Sequence, residues 1–132
     1  MTHLLDTNVC ISAMRGNASV RKHLRAKRPE DLGVSIISIY ELLSGVERCR
    51  DPESERRKVE LFLAPFHILA FDPDSAARSA KVRWILEKSG LPIGPYDVLL
   101  AGQSLALDVT LVIRNQREFE RVPGLRLEDW QD

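Results

Sequence analysis

The sequence predicts an α/β fold, a mostly parallel central sheet flanked by helices, in a single domain over residues 1–132. Two observations carry this. Short apolar runs alternate along the chain with helical segments, the order that builds βαβ units and a sheet covered on both faces. Turn signals recur at regular intervals, with no repeat, low-complexity tract or Gly/Ser linker between them. A length of 132 residues fits one domain. Such a chain buries roughly two-thirds of the surface its unfolded form exposes, so its core needs no disulfide staples.

The elements follow in order. Residues 2–5 are a short apolar run ended by Asp6-Thr7-Asn8, a first buried strand. Residues 9–15 and 18–28 are helical, separated by Gly16-Asn17 and stopped by Pro29. Residues 32–37, rich in β-branched side chains, give a second strand. Ser38 then caps a helix to about Arg48, and residues 53–63 form a charged helix that ends before Pro65. Residues 67–71 give a third strand. Asp72-Pro73 is a helix start, a cap followed by proline at the first helical position. That helix carries Ala76, Ala80 and Trp84 at i, i+4 spacing and ends at Gly90. Gly94-Pro95 opens another, to about Leu107. Residues 109–113 give a fourth strand, 115–121 a short helix and 125–127 a last short strand.

Composition narrows the function. At 44% hydrophobic and 29% charged, the chain is neither fibrous nor wholly disordered. Nineteen basic residues balance nineteen acidic ones, so any nucleic-acid partner must meet a local concentration of charge. Cys10 and Cys49 are too few for a disulfide framework and lack zinc-site spacing; they read as small buried hydrophobes. The longest apolar stretch, residues 61–71, is interrupted by Pro65 and His67 and is far short of a membrane span. The first eight residues lack a basic n-region, so no signal peptide is expected and the protein reads as cytoplasmic.

In parallel α/β sheets, ligands bind outside the carboxyl ends of the strands. Three acids fall there. Asp6 follows the first strand, Glu41 lies just past the second, and Asp97 opens the helix after Gly94-Pro95. Each has an ordinary structural explanation: Asp6 as a cap, Glu41 in a capping box with Ser38, Asp97 at the positive end of a helix. Their surroundings favour more. Asp6 is the only charged residue from Met1 to Met14, Glu41 the only one from Leu32 to Val46, and Asp97 the only one from Ser89 to Leu107. Isolated carboxylates in apolar sequence imply partly buried sites, where an unpaired charge is costly. A divalent ion is the common remedy, and all-oxygen ligation suits Mg²⁺ or Mn²⁺ rather than zinc. Asn115 and Glu118 form a weaker fourth position, set among Arg114, Arg117, Glu120 and Arg121.

Basic charge is local. Arg15, Arg21, Lys22, Arg25, Lys27 and Arg28 occur with no acid between Asp6 and Glu30. Such a run is either a solvated face or, beside a metal site, a surface for a phosphate backbone. Aromatic residues are only 6% of the chain, which favours recognition by shape and phosphate contacts over base stacking. No histidine pair stands ready for metal-free RNA cleavage, and no glycine-rich phosphate loop is present.

Four segments together carry a family resemblance: Leu4-Leu5-Asp6-Thr7-Asn8, residues 35–45 (SIISIYELLSG), residues 92–101 (PIGPYDVLLA) and residues 117–130 (REFERVPGLRLEDW). In order and spacing they closely resemble PIN-domain ribonucleases of the VapC toxin type. The resemblance implies a Rossmann-like α/β/α sandwich and a Mg²⁺-dependent endoribonuclease neutralised by a VapB-type antitoxin. It implies a toxin homodimer that joins antitoxin chains in a larger complex, and a tRNA substrate, with the initiator tRNA anticodon loop foremost. By position, Asp6, Glu41 and Asp97 match the family's acidic metal-site residues. Asn115 and Glu118 fall in its last motif, Thr-x-Asn-x-x-(Asp/Glu)-Phe, where Ile113 replaces the usual hydroxyl. Two other readings compete. A phosphoryl-transfer enzyme on a similar sheet predicts an acid two residues after Asp6, where Asn8 stands. A non-catalytic binding module predicts loss of an acid, yet all three are present.

Overall fold

The computed structural model describes residues 1–114 and 117–130. Its five described strands are β1 (His3–Leu5), β2 (Leu32–Ser35), β3 (His67–Leu69), β4 (Thr110–Ile113) and β5 (Leu127–Asp129). They form one parallel sheet in the order β3-β2-β1-β4-β5. The six α-helices among the described residues are α1 (Thr7–Met14), α2 (Ala18–Arg25), α3 (Ile36–Glu47), α4 (Pro52–Leu63), α5 (Pro73–Lys88) and α6 (Pro95–Leu107). Short 3₁₀ turns occupy Pro29–Asp31 and Arg117–Arg121.

The alternation of apolar runs and helices therefore builds the sheet expected of it. Leu4 and Leu5 of β1 are fully buried, one on each face. Leu5 packs with Val34, Val112, Trp130 and residues of α1 to α4. Leu4 packs with Leu111, Phe119 and residues of α5 and α6. The sequence moves outward from β1 to β2 and β3 on one side, then returns to β4 and β5 on the other. The strand order reverses at β1, and such a switch point opens a crevice at the carboxyl ends of the strands.

Several local expectations are corrected. Helix α3 begins at Ile36, not after Ser38. Ser35, fully buried in extended backbone at the end of β2, accepts the Ile37 N–H at 3.0 Å and caps the helix. Strand thus passes into helix without a loop. Ser38 lies inside the first turn, its Oγ buried without a hydrogen-bond partner among the described residues, so no Ser38–Glu41 capping box forms. Helix α2 ends at Arg25, and the last strand is Leu127–Asp129 rather than 125–127. In α5, whose inward face the sequence leaves open, the Ala76–Ala80–Trp84 stripe faces outward, with Trp84 64% exposed; the inward face is Ser75, Ser79, Val82 and Leu86.

Close packing explains that small-residue face. A Cβ placed at Gly102 of α6 would lie 2.5 Å from the Ser79 Cα and 2.6 Å from its N, so α5 and α6 meet backbone to backbone. Cys10 is buried and Cys49 exposed, both as free thiols, which corrects the expectation that both are buried. No helix among the described residues is long and apolar enough to cross a membrane.

Candidate active site

Asp6 is the first residue beyond β1, and the peptide there is still tied to the sheet, its N–H donating to Val112 O at 3.0 Å. Its backbone is extended, and its Oδ1 accepts the Val9 N–H at 2.8 Å, capping α1. Only 1% of the residue is exposed. The second oxygen, Oδ2, is buried with no hydrogen-bond partner among the described residues. Burial pushes the Asp6 carboxyl from its ordinary 3.8 up to about 7; the Val9 bond opposes this, and the charges of Asp97, Glu41 and Asp129 add to it. The cap and the pocket are thus not alternatives. Each takes one oxygen.

Early capping of α3 by Ser35 places Glu41 in the second turn of that helix, where it reaches α1. The Thr7 hydroxyl donates to Glu41 Oε1 at 2.7 Å, which orients the carboxylate. Asp97 lies in the first turn of α6, behind Gly94 and Pro95. Burial raises its carboxyl from 3.8 to about 6, with further contributions from Glu41 and then Glu118. The structure therefore brings Asp6, Glu41 and Asp97 into one electrostatic neighbourhood. Among the described residues, none of the three forms a salt bridge.

The fourth expected position divides. Glu118, exposed on the 3₁₀ turn, is near enough to act on Asp97. Asn115 lies outside the described residues. The basic run divides as well. Arg15, Arg21 and Arg25 line a groove of about 870 Å³ between the α1–α2 and α3–α4 pairs, a groove that Glu41 also lines. Arg28 pairs instead with Glu30 and Asp31. Lys22 and Lys27 do not line that groove, and Lys27 acts electrostatically on Glu128.

Sequence reasoning missed Thr7, Asp129, Tyr40 and Tyr96. Thr7 is adjacent to Asp6, but its service to Glu41 depends on where α3 starts. Asp129 enters through strand register: Leu5 pairs with Val112 and Ile113 with Asp129, so the end of β5 stands level with the end of β1. The two tyrosines each precede a pocket acid in sequence, and their rings meet across the gap between α3 and α6.

The donor set fits a hard divalent cation: carboxylate oxygens, one of them buried and unsatisfied, with no salt-bridge partner among the described residues. No group of three or more His, Cys, Asp or Glu side chains among the described residues forms a ready metal cage. Mg²⁺ asks for less, since it keeps several waters and takes only one or two carboxylates.

The family model of the PIN domain matches residues 3–125. The "tRNA(fMet)-specific endonuclease VapC" of Salmonella typhimurium is 35% identical over 130 residues, 96% of each chain. The "Ribonuclease VapC2" of Rickettsia felis is 34% identical over 133 residues, 98% of each chain. This chain is a PIN-domain protein of the VapC family. Solved VapC-family structures agree with its fold. DNA-bound VapBC from Salmonella typhimurium superposes with a TM-score of 0.93 at 34% identity, covering 98% of both chains. VapBC2 from Rickettsia felis, bound to a promoter DNA fragment, gives 0.94 at 32% identity, covering 99% of this PIN domain and 100% of that chain.

Proposed function

We propose that the protein is the toxin of a VapBC-type toxin–antitoxin pair, a divalent-metal-dependent endoribonuclease whose site is Asp6, Glu41 and Asp97. The observation that carries this is the buried Oδ2 of Asp6, without a hydrogen-bond partner among the described residues, in a carboxyl on which the charges of Asp97 and Glu41 act. A fold keeps such an uncompensated charge at a cost, and a bound cation removes the cost.

A divalent cation there would supply Lewis acidity to the scissile phosphate and neutralise charge as the leaving oxygen departs. The chain's own residues do the rest. Asp6 offers Oδ2 while Val9 holds Oδ1; Glu41 offers Oε2 while Thr7 holds Oε1. Asp97, in the first turn of α6 and close enough to Glu41 to feel its charge, is placed to orient the attacking water, a role that Asp6 could also fill. Attack by water needs no 2′-hydroxyl, so the products carry 5′-phosphate and 3′-hydroxyl ends.

The relatives' names support RNA as substrate, and tRNA, with the initiator tRNA foremost, as the specific class. The solved complexes support a VapB-type antitoxin as partner. Exposed Trp84, Ile85 and Leu91 support a toxin homodimer within that complex. The test is purified protein free of antitoxin, incubated with total tRNA with Mg²⁺ and with EDTA. Cutting at one or a few sites with Mg²⁺ alone is expected. Undiminished cutting in EDTA would sink the metal mechanism.

A further inference from the structure

The chain has two tyrosines, and the fold brings their rings together between α3 and α6, the helices that carry Glu41 and Asp97. Tyr40 on α3 is 55% exposed and Tyr96 on α6 is 41% exposed. Each is the immediate sequence neighbour of a pocket acid, Glu41 and Asp97 respectively. Their ring centroids lie 5.6 Å apart with planes inclined by 58°, and the Tyr96 hydroxyl donates to the Tyr40 hydroxyl at 3.4 Å. The tilted rings form a corner of two partly exposed aromatic side chains. The Tyr96 phenol is also close enough to Glu41 to feel its charge. Glu41 also lines the groove that carries Arg15, Arg21 and Arg25, and neither tyrosine lines that groove. Basic charge and a separate aromatic surface thus both stand near Glu41.

From this arrangement we propose that Tyr40 and Tyr96 form a stacking corner for an unpaired RNA base next to the scissile phosphate. The inference rests on the ribonuclease reading and deepens it. An exposed aromatic face stacks with any base, and stacking is a sequence-tolerant source of affinity in single-stranded recognition. A base held in a duplex is stacked on its neighbours and has no free face, so the corner selects loops and single-stranded segments. The low aromatic content had argued against stacking. The proposal departs from that expectation on the strength of position, because the two rings meet beside the helices that carry Glu41 and Asp97.

The test uses the full chain, Tyr40→Ala, Tyr96→Ala and the two Phe replacements. The probes are a short single-stranded RNA containing the cleavage site and the same RNA made abasic beside the cut. Cleavage with Mg²⁺ gives kcat and KM; fluorescence anisotropy in EDTA gives affinity. Each Ala variant is expected to lose roughly 10-fold in affinity, expressed mainly in KM. The Phe variants, which keep the ring and lose the hydroxyl, are expected to recover most of the loss. The abasic RNA should bind more weakly to the wild type and no longer distinguish wild type from the Ala variants. Unchanged affinity and KM in both Ala variants, while the wild type cuts normally, would overturn the stacking corner and leave the ribonuclease reading intact. A loss that is the same on abasic RNA would also overturn it. So would one that Phe does not rescue and that tracks dissociation of protein copies in sedimentation; the corner would then join two copies. A wild type that cuts no RNA with Mg²⁺ overturns both readings.

Discussion

Replacing Asp6 by Asn tests whether the fold tolerates a carboxylate that it stabilises poorly. The Asp6 carboxyl is raised from 3.8 to about 7. At 1.36 kcal/mol per unit, the metal-free native state carries a penalty on the order of 4 kcal/mol when Asp6 is charged. The sign follows from proton binding. Between pH 4 and 7 the native state holds this proton more tightly than the unfolded chain, so stability falls as pH rises through that window. Below about pH 4 both states are protonated and the penalty vanishes. Asn caps a helix about as well as Asp, so the Val9 bond survives. The buried amide has its own desolvation cost, about 1–2 kcal/mol. The net expectation is that Asp6→Asn is more stable than the wild type by about 2 kcal/mol at pH 8 in EDTA. Near pH 4 the ionisation penalty on the wild type is gone and only the amide's cost remains, so the variant should there be the less stable by about 1–2 kcal/mol. Added Mg²⁺ should stabilise the wild type, because stabilisation by a ligand follows its affinity for the native state, and should do little for the variant. Urea unfolding at pH 4, 6 and 8, with EDTA or Mg²⁺, measures all of this. An Asp6→Asn protein no more stable than wild type at pH 8, or one that keeps the full Mg²⁺ effect, refutes the reasoning.

Three further outcomes are expected. Ser35→Ala should cost about 1 kcal/mol in urea unfolding through loss of the α3 cap, whereas Ser38→Ala, which removes a buried unpartnered hydroxyl, should be neutral or stabilising. Thr7→Val should lower cleavage roughly 10-fold by releasing Glu41, a loss of about 1.4 kcal/mol in the transition state; kinetics and unfolding on the same protein separate this from a folding defect. Replacing Arg15 and Arg25 together by Glu should weaken RNA binding and flatten its salt dependence. An unchanged salt slope with weakened antitoxin binding would assign that lip to the antitoxin instead.

The acids were legible because isolation is a sequence property. A lone carboxylate within an apolar stretch announces burial before any contact is known, and Asp6, Glu41 and Asp97 all lie in the neighbourhood so predicted. The strands were legible for the same reason, since runs such as Thr110–Ile113 have no polar face to expose. The start of α3 was not. Ser35 and Ser38 are both plausible caps in sequence, and the choice depends on how far β2 extends before its neighbours end. That three-residue difference decides whether Glu41 reaches back to its own helix or across to Thr7. Asp129 was hidden because its level beside Asp6 exists only through pairing of β1, β4 and β5. The pairing of Tyr40 and Tyr96 was not legible, since a percentage says nothing about where two rings meet.

The missing side chain at Gly102 has a consequence for how Asp97 is held. With backbone against backbone, α5 and α6 have little room to shift against each other. Asp97 sits five residues before Gly102, about one and a half turns toward the start of α6. Its position is therefore preorganised by main-chain contact, settled at folding and resistant to the pull of a ligand. Glu41 is held differently, by a single hydroxyl on a neighbouring helix. The pocket thus has one stiff wall and one adjustable wall, and accommodation to an incoming phosphate falls to the side that carries Glu41.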